Sequence, residues 1–520
     1  WIIVDVGVTF PGPDLPGVDL VLPDTRFIEA DLKNLKGIVI THAHEDHYGA
    51  LLDLWPRLKA PVWMSPFSAG LLEAKRQGEQ GAPKIPVTIY RAGETFSIGP
   101  FTIEAVAVSH SIPEPVSLAI TTPAGTIIHT GDWKIDPKPE IGPSIDEARF
   151  RALGDKGVLA LICDSTNAMR EGESPSEFAV GEGLRGEIMK AVGRVAITTF
   201  SSNVGRIRSI AEAARDSGRQ TLVLGRSLKR VVDVAGELGY LDGLPEFIDE
   251  DEFASIPREK LVIICTGSQG EDRAALAKLS RDEMRTVSLT AGDTVIFSSR
   301  VIPGNEKAII EIKNSLIDMG IKIIEDTDAL VHVSGHPRRS ELRQMYAWTR
   351  PQILIPVHGE AAHLVAQGSL GAMEGIPEVM QVRNGDIARL SPGKAEVIDQ
   401  VPFGRVYKDG KIIGSEEGVG IKERRKLSFA GHVAVNVVLD EKHNLAGDPD
   451  LVAIGLPQND KQGHSFEEML LEAAASAVES IPRVRRKDLD LVAEAVRRAV
   501  RNSANDAWGK KPIVTVFVTY

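Results

Sequence analysis

Three imidazoles and two carboxylates fall within six residues at His42-Ala43-His44-Glu45-Asp46-His47. Packing does not call for such a cluster, whereas a divalent cation does, because imidazole and carboxylate are among its usual protein ligands. In an extended turn His42 and His44 project to the same side and can share one ion, while Asp46 and His47 are displaced toward a neighbouring position. A pair of metal ions a few ångströms apart is the expected outcome. His-rich tracts also bind metal adventitiously, but the sequence repeats the offer where other apolar runs end: His110 after residues 101–108, Asp132 after 126–129 and His358 after 353–357. Ligands without thiolate suit zinc or manganese, and the share of histidine favours zinc.

The elements that must position these groups are legible as apolar runs. Residues 37–40, Gly-Ile-Val-Ile, predict a buried strand and residues 50–55 predict a helix, so the cluster sits on a strand-to-helix turn. Strand and helix patterns alternate from 37 to about 175. Between about 177 and 333 the alternation restarts as a separate α/β unit, with strands expected at 195–199, 221–224, 261–264 and 294–297. These strands end in the polar turns Phe200-Ser201-Ser202-Asn203, Gly225-Arg226-Ser227, Thr266-Gly267-Ser268-Gln269 and Ser298-Ser299-Arg300. Ligands of open α/β sheets bind at such carboxyl ends, and small residues there let backbone amides approach a phosphate.

A chain of 520 residues is too long for one core and predicts two or three domains. Its 43% hydrophobic and 25% charged content is that of a globular protein, with no run long enough to span a bilayer, and Trp1-Ile2-Ile3-Val4-Asp5 reads as a strand rather than a signal peptide. The only cysteines, Cys163 and Cys265, lie in apolar runs, which fits a reducing cytoplasm. A net charge of −12 argues against a polyanionic substrate, but a cleft can carry its own field. Arg206 and Arg208, Arg226 with Lys229 and Arg230, and Arg338, Arg339 and Arg343 are the basic residues expected to face such a substrate.

His42-x-His44-x-Asp46-His47, with Asp5-Val6-Gly7 before it and His110 and Asp132 after it, resembles the metallo-β-lactamase superfamily. Asp164 in Cys163-Asp164-Ser165-Thr166-Asn167, His336 in His332-Val333-Ser334-Gly335-His336 and His358 in Pro356-Val357-His358-Gly359-Glu360 resemble the further motifs of its nucleic-acid-processing branch, the β-CASP group. Within that branch the whole chain is similar to the bacterial ribonuclease J family. The resemblance implies an α/β protein: a metallo-β-lactamase αββα sandwich with an inserted β-CASP α/β domain and a small C-terminal α/β domain. The expected boundaries are 1–176 and 334–420 for the two parts of the sandwich, 177–333 for the insert, 421–450 for a linker and 451–520 for the C-terminal domain. The sequence opens inside a strand, and the family would carry further strands before it, so a truncated N-terminus is expected.

The same resemblance implies roles. One metal takes His42, His44, His110 and Asp132, and the other takes Asp46, His47, Asp132 and His358, with Asp132 bridging. Asp5 and Asp164 support these ligands from behind, and Asp46 also steers the attacking water. His336 has no place in either set and lies on a glycine-containing turn, so it is the expected general acid. His332, Val333, Ser334 and Gly335, with His336, bind the scissile phosphate, and Ser201, Ser202 and Asn203 face them across the cleft. Gly205 departs from members that carry histidine there, so a base or phosphate contact is not expected of it. The Gly17 carbonyl, Asp19 and Asp409 hold a structural calcium. The implied protein is a two-zinc ribonuclease, with manganese the alternative metal. It acts as a 5′-to-3′ exonuclease favouring 5′-monophosphate ends, with endonuclease activity, on single-stranded RNA. Implied partners are a second copy, in a homodimer or larger homo-oligomer, and other RNA-decay proteins, with no membrane. Helices at 466–478 and 489–500 and a closing strand at 512–518 would make the dimer contact. A β-lactamase or glyoxalase-type hydrolase and a transfer-RNA 3′-end endonuclease share the metal motif but need no insert, and a silent RNA-binding scaffold would tolerate the loss of ligands that are all present here.

Overall fold

Strand Gly37–Val39 is buried throughout, as suits a strand with parallel neighbours covered on both faces. It pairs in parallel with Ile2–Val4 and Val62–Met64, and Val87–Ile89 completes a four-stranded sheet. The computed structural model describes residues 1–520. A seven-stranded sheet, ordered Glu378–Val379, Ile353–Val357, Ala160–Asp164, Gly125–His129, Val116–Thr122, Phe101–Ala107, Thr95–Ile98, faces the first. Val39 from the small sheet and Ile103, Leu118 and Ile120 from the large one share a single buried cluster. On the far face of the large sheet, Phe150 of helix Glu147–Lys156 and Leu342 and Trp348 of helix Arg339–Thr349 pack with Leu161 and Leu354. Helix Pro66–Gly78, capped by the Ser65 hydroxyl, packs on the small sheet. The result is an αββα sandwich.

The insert is a five-stranded parallel sheet, ordered Gln220–Leu224, Leu261–Cys265, Val195–Thr198, Thr294–Phe297, Lys322–Ile324. The last of these strands has only three residues and lies beyond the four expected. Central strands such as Leu261–Cys265 are wholly buried. Their continuous apolar character is what coverage by helices on both faces requires.

The chain divides into two compact units, residues 1–8 with 23–404 and residues 9–22 with 405–520. Sandwich and insert both belong to the first. In the second, strand His432–Val438 is the centre of a three-stranded sheet, flanked by Asp450–Ile454 and Ile513–Thr519. Helices Phe466–Glu479 and Leu489–Trp508 bury one face of it around Val433, Val435, Leu470 and Val496. This corrects the expected linker at 421–450: those residues supply helix Ile421–Ala430 and the central strand. Residues 405–420, expected in the sandwich, lie in this unit too. The second helix runs eight residues beyond the expected 500, because Ala504 continues its buried stripe at four-residue spacing and only Gly509, at φ 82, stops it. No helix is long and apolar enough to cross a membrane.

Candidate metal centre

Every predicted metal ligand lies where a strand of the sandwich ends. His42 and His44 follow Gly37–Val39, and His44 is the residue before helix Glu45–Tyr48, which carries Asp46 and His47. The strand Ile2–Val4 exits directly against that turn: the Val6 amide donates to the His47 carbonyl at 2.6 Å and the Val8 amide to the Glu45 carbonyl at 2.9 Å. A Cβ on Gly7 would stand 1.7 Å from the Asp46 carbonyl oxygen, so only glycine permits the approach. His110, Asp132 and His358 arrive from Phe101–Ala107, Gly125–His129 and Ile353–Val357.

These side chains converge as two sets, His42, His44, His110 with Asp132, and Asp46, His47, Asp132 with His358, and Asp132, Asp164, His336 and His358 form a third group of the same kind, the ligand atoms of each within 4.8 Å of one another. In the first, His44 Nδ1 lies 3.1 Å from His42 Nε2 and 3.0 Å from His110 Nε2. Imidazole nitrogens tetrahedrally placed at zinc-ligand distance are separated by roughly 3.3 Å, so the spacing fits one cation. In the second set, the buried Nε2 of His47 has no hydrogen-bond partner and stands 3.2 Å from Asp132 Oδ2. Asp132 presents Oδ1 to His358 Nδ1 at 2.9 Å and Oδ2 to the histidines of both sets. Burial, reinforced by neighbouring imidazoles, holds His42 and His110 well below the ordinary histidine value, and burial takes His44 to about 4. Those rings are therefore neutral and free to ligate. The donor chemistry and the orphaned nitrogen fit two divalent ions.

Supporting contacts orient the ligands. Asp5, at φ 63, accepts from His47 Nδ1 at 2.7 Å and from the Thr41 amide at 2.7 Å and hydroxyl at 2.8 Å. Thr41 Oγ1 in turn lies 3.0 Å from His42 Nδ1. Thr41 was missed by sequence reasoning, although its place beside the motif could have marked it. Asp164 Oδ2 lies 2.8 Å from His336 Nδ1, and its Oδ1 accepts from the Thr166 amide at 2.8 Å. Burial pulls His336 down, but Asp164 and Asp132 outweigh it and raise the imidazole above its ordinary value.

The segment 332–336 does not present itself as one phosphate cradle. The Gly335 carbonyl accepts from His110 Nδ1 at 2.7 Å, and a Cβ there would meet that nitrogen at 2.5 Å, so Gly335 orients a ligand. Val333 is buried. Ser334 Oγ accepts from Asn167 Nδ2 at 2.9 Å, and the same amide group reaches the His336 carbonyl at 3.1 Å. His332 has its Nδ1 buried without a partner, and burial together with Arg206 takes the ring down to about 3. Across the sequence gap, Ser201 and Ser202 are half-buried at the carboxyl end of Val195–Thr198, whereas Asn203 Oδ1 is used to cap helix Val204–Asp216. Gly205 faces the Glu140 side chain.

Two further expectations are corrected. Arg206 is wholly buried and paired with Glu177, so it faces no substrate. Arg339 and Arg343 pair with Glu171, Arg343 also with Glu374, and Lys229 with Glu250. In the second unit, the residues do not fit the calcium implied by resemblance. The Arg424 guanidinium binds the Asp409 carboxylate, donates to the Pro16 carbonyl at 3.4 Å and stands where a Cβ on Gly17 would be 2.8 Å away. Asp19 Oδ2 accepts from the Gly410 amide at 2.7 Å.

Family profiles match this architecture piece by piece: a beta-lactamase superfamily domain at residues 1–153, a ribonuclease J beta-CASP domain at 192–316, a Zn-dependent metallo-hydrolase RNA specificity domain at 320–379 and a ribonuclease J C-terminal domain at 419–520. Fold and site together define a β-CASP protein of the metallo-β-lactamase superfamily. A ribonuclease J of Sinorhizobium meliloti is 64% identical over 519 residues, spanning 100% of this chain and 92% of the relative, and one of Mycolicibacterium smegmatis is 38% identical over 99% and 92%. The chain belongs to the ribonuclease J family. A protein of unknown function from Enterococcus faecalis V583 shares the fold, at 15% identity and a TM-score of 0.50 over 76% of this chain and 94% of that one.

Proposed function

We propose that this chain is a metal-dependent ribonuclease that hydrolyses RNA phosphodiesters, with zinc its favoured metal and manganese the alternative. The observation that carries the reading is the Asp164–His336 pair standing beside the two ligand sets, because a proton donor outside the metal ligands is what an alkoxide leaving group needs. His42, His44, His110 and Asp132, and Asp46, His47, Asp132 and His358, would hold two divalent ions, which when bound would supply a nucleophilic water at neutral pH and neutralise the attacked phosphate. Asp5 and the Gly335 carbonyl keep His47 and His110 in the tautomers that leave Nε2 free. Asp46, partly open to solvent beside His358, orients the attacking water. Asp164 holds the Nδ1 proton of His336, which leaves the Nε2 proton to pass to the departing ribose oxygen. Ser201, Ser202 and Ser334 are the residues we assign to the phosphate backbone and to a 5′ monophosphate.

The family names of the relatives and the RNA specificity profile support this reading. RNA bearing a 5′ monophosphate is expected to be degraded from that end to mononucleotides, and 5′-triphosphate RNA to resist or be cut internally. End-labelled RNAs differing only in 5′ phosphorylation test this. Equal rates on both, or label released first from the 3′ end, would leave a plain endonuclease or a 3′-processing enzyme. Buried, unpaired Cys163 and Cys265 agree with work in the cytoplasm, where other RNA-decay proteins are the expected company. The uncovered face of the C-terminal sheet, with Val452, Ile454 and Phe517 exposed, is the surface we assign to self-association. Sedimentation of the full chain as a monomer at micromolar concentration would exclude it.

A further inference from the structure

Arg206 is 0% exposed, yet every nitrogen of its guanidinium has a hydrogen-bond acceptor. Nε and Nη2 donate to Glu177 Oε2 at 3.2 and 2.7 Å, and Nη1 donates to Ser298 Oγ at 2.5 Å, to the Ser298 carbonyl at 3.4 Å and to the Val331 carbonyl at 3.2 Å. Glu177 is where the chain enters the insert, and Val331 is where it leaves. The Arg206 amide is itself held by Asn203, in the turn that follows Ser201 and Ser202. One side chain thus ties together both crossings and the turn that carries Ser201 and Ser202.

The network continues into the sandwich. The Glu177 amide donates to Asp136 Oδ2 at 2.8 Å, and Lys134 Nζ lies 3.0 Å from the same oxygen and 3.8 Å from Glu177 Oε1, with both charged groups fully buried. Lys134 stands two residues after Asp132, and its amide donates to the carbonyl of Ser109, the neighbour of His110, at 2.8 Å. Lys134, Asp136, Glu177 and Arg206 form an electrically balanced chain from the loop after Asp132 to the turn at Ser201–Asn203. Such pairs contribute little net stability over apolar residues of the same volume, but they fix geometry. We propose that Arg206 is a positioning residue that sets the distance between the Ser201–Ser202 turn and the metal centre, so that it governs attack on RNA and not the intrinsic reactivity of the metals. This rests on the ribonuclease reading above.

The test compares wild type, Arg206→Lys, and the double variant Arg206→Met with Glu177→Leu, which removes the buried pair without leaving an unpaired charge. Substrates are a 5′-monophosphorylated RNA and bis(p-nitrophenyl) phosphate, which is small enough to need only the metal ligands. The double variant is expected to melt near wild type, carry the same metal content and hydrolyse the small diester unchanged. Its kcat/KM on RNA is expected to fall about 100-fold, the scale of an ångström of misplacement, with the loss mainly in kcat. Arg206→Lys is expected to lose RNA activity as well, because one ammonium cannot reach Glu177, Ser298 and Val331 together. A double variant that cuts RNA at the wild-type rate, or that loses both substrates in parallel, overturns the positioning role. Wild type that cleaves the small diester but no RNA, or neither, defeats the ribonuclease reading instead.

Discussion

At the scale of single residues, the site depends on atoms that touch no substrate. Gly335 is the sharpest case, since its carbonyl fixes His110 and its missing Cβ leaves room for that ring. Gly335→Ala is expected to displace His110, leaving the protein folded but with substoichiometric metal and RNA hydrolysis reduced at least about tenfold, the lower end of effects seen when a supporting group is lost. Elemental analysis beside a melting curve checks this; full metal content with full activity would remove Gly335 from the support of the site. The convergence of the candidate ligands was legible because histidine and carboxylate at two-residue spacing past a strand have few other uses. Gly335 was legible only as part of a motif, since a clash of a few ångströms between residues far apart in sequence leaves no local trace. Arg206 was misread for a related reason: a basic residue beside others is usually solvated, and nothing nearby in sequence announces Glu177.

At the scale of elements, strands and their exits were read well, and errors fell where composition misleads. Lys422-Glu423-Arg424-Arg425-Lys426 has the charge density of a linker, yet it forms a helix with only Ile421 and Ala430 buried. Its arginines serve the loop before strand Leu20–Pro23: Arg424 binds Asp409, and Arg425 donates to the Asp14 carbonyl at 2.6 Å. A guanidinium on Asp409 already gives that carboxylate a cationic partner, held by covalent attachment to the chain. Millimolar calcium is therefore expected to leave the melting temperature of the full chain unchanged, whereas Arg424→Ala should lower it and make it respond to calcium. A calcium-dependent rise in the wild-type chain would reverse this reading.

At the scale of the whole molecule, the buried charges make stability depend on pH in a stated direction. Burial opposes ionisation of Glu177, but Arg206 and Lys134 outweigh it and hold the carboxyl below its ordinary value. A depressed folded value means that the unfolded state takes up the proton first, so the pair's contribution is complete above about pH 4.3, the unfolded value. It is lost as pH falls through the lower folded value. Melting temperatures measured from about pH 7 down to about pH 3 should fall more steeply for wild type than for the Arg206→Met, Glu177→Leu double variant. Parallel curves would show that the carboxyl titrates alike in both states.

The hydrogen bond from His110 to Gly335 also bears on when this chain acquires its activity. It joins residues 225 positions apart, with the whole inserted domain between them. While the chain is being made, six of the seven candidate ligands precede the insert, but Gly335, which aims His110, the proposed proton donor His336 and His358 all wait until the insert has been synthesised. A nascent chain still attached to its ribosome, close to its own messenger, is therefore no nuclease for most of its synthesis. The order of residues along the chain delays the hazard until the insert and the strand leading to His358 have been made.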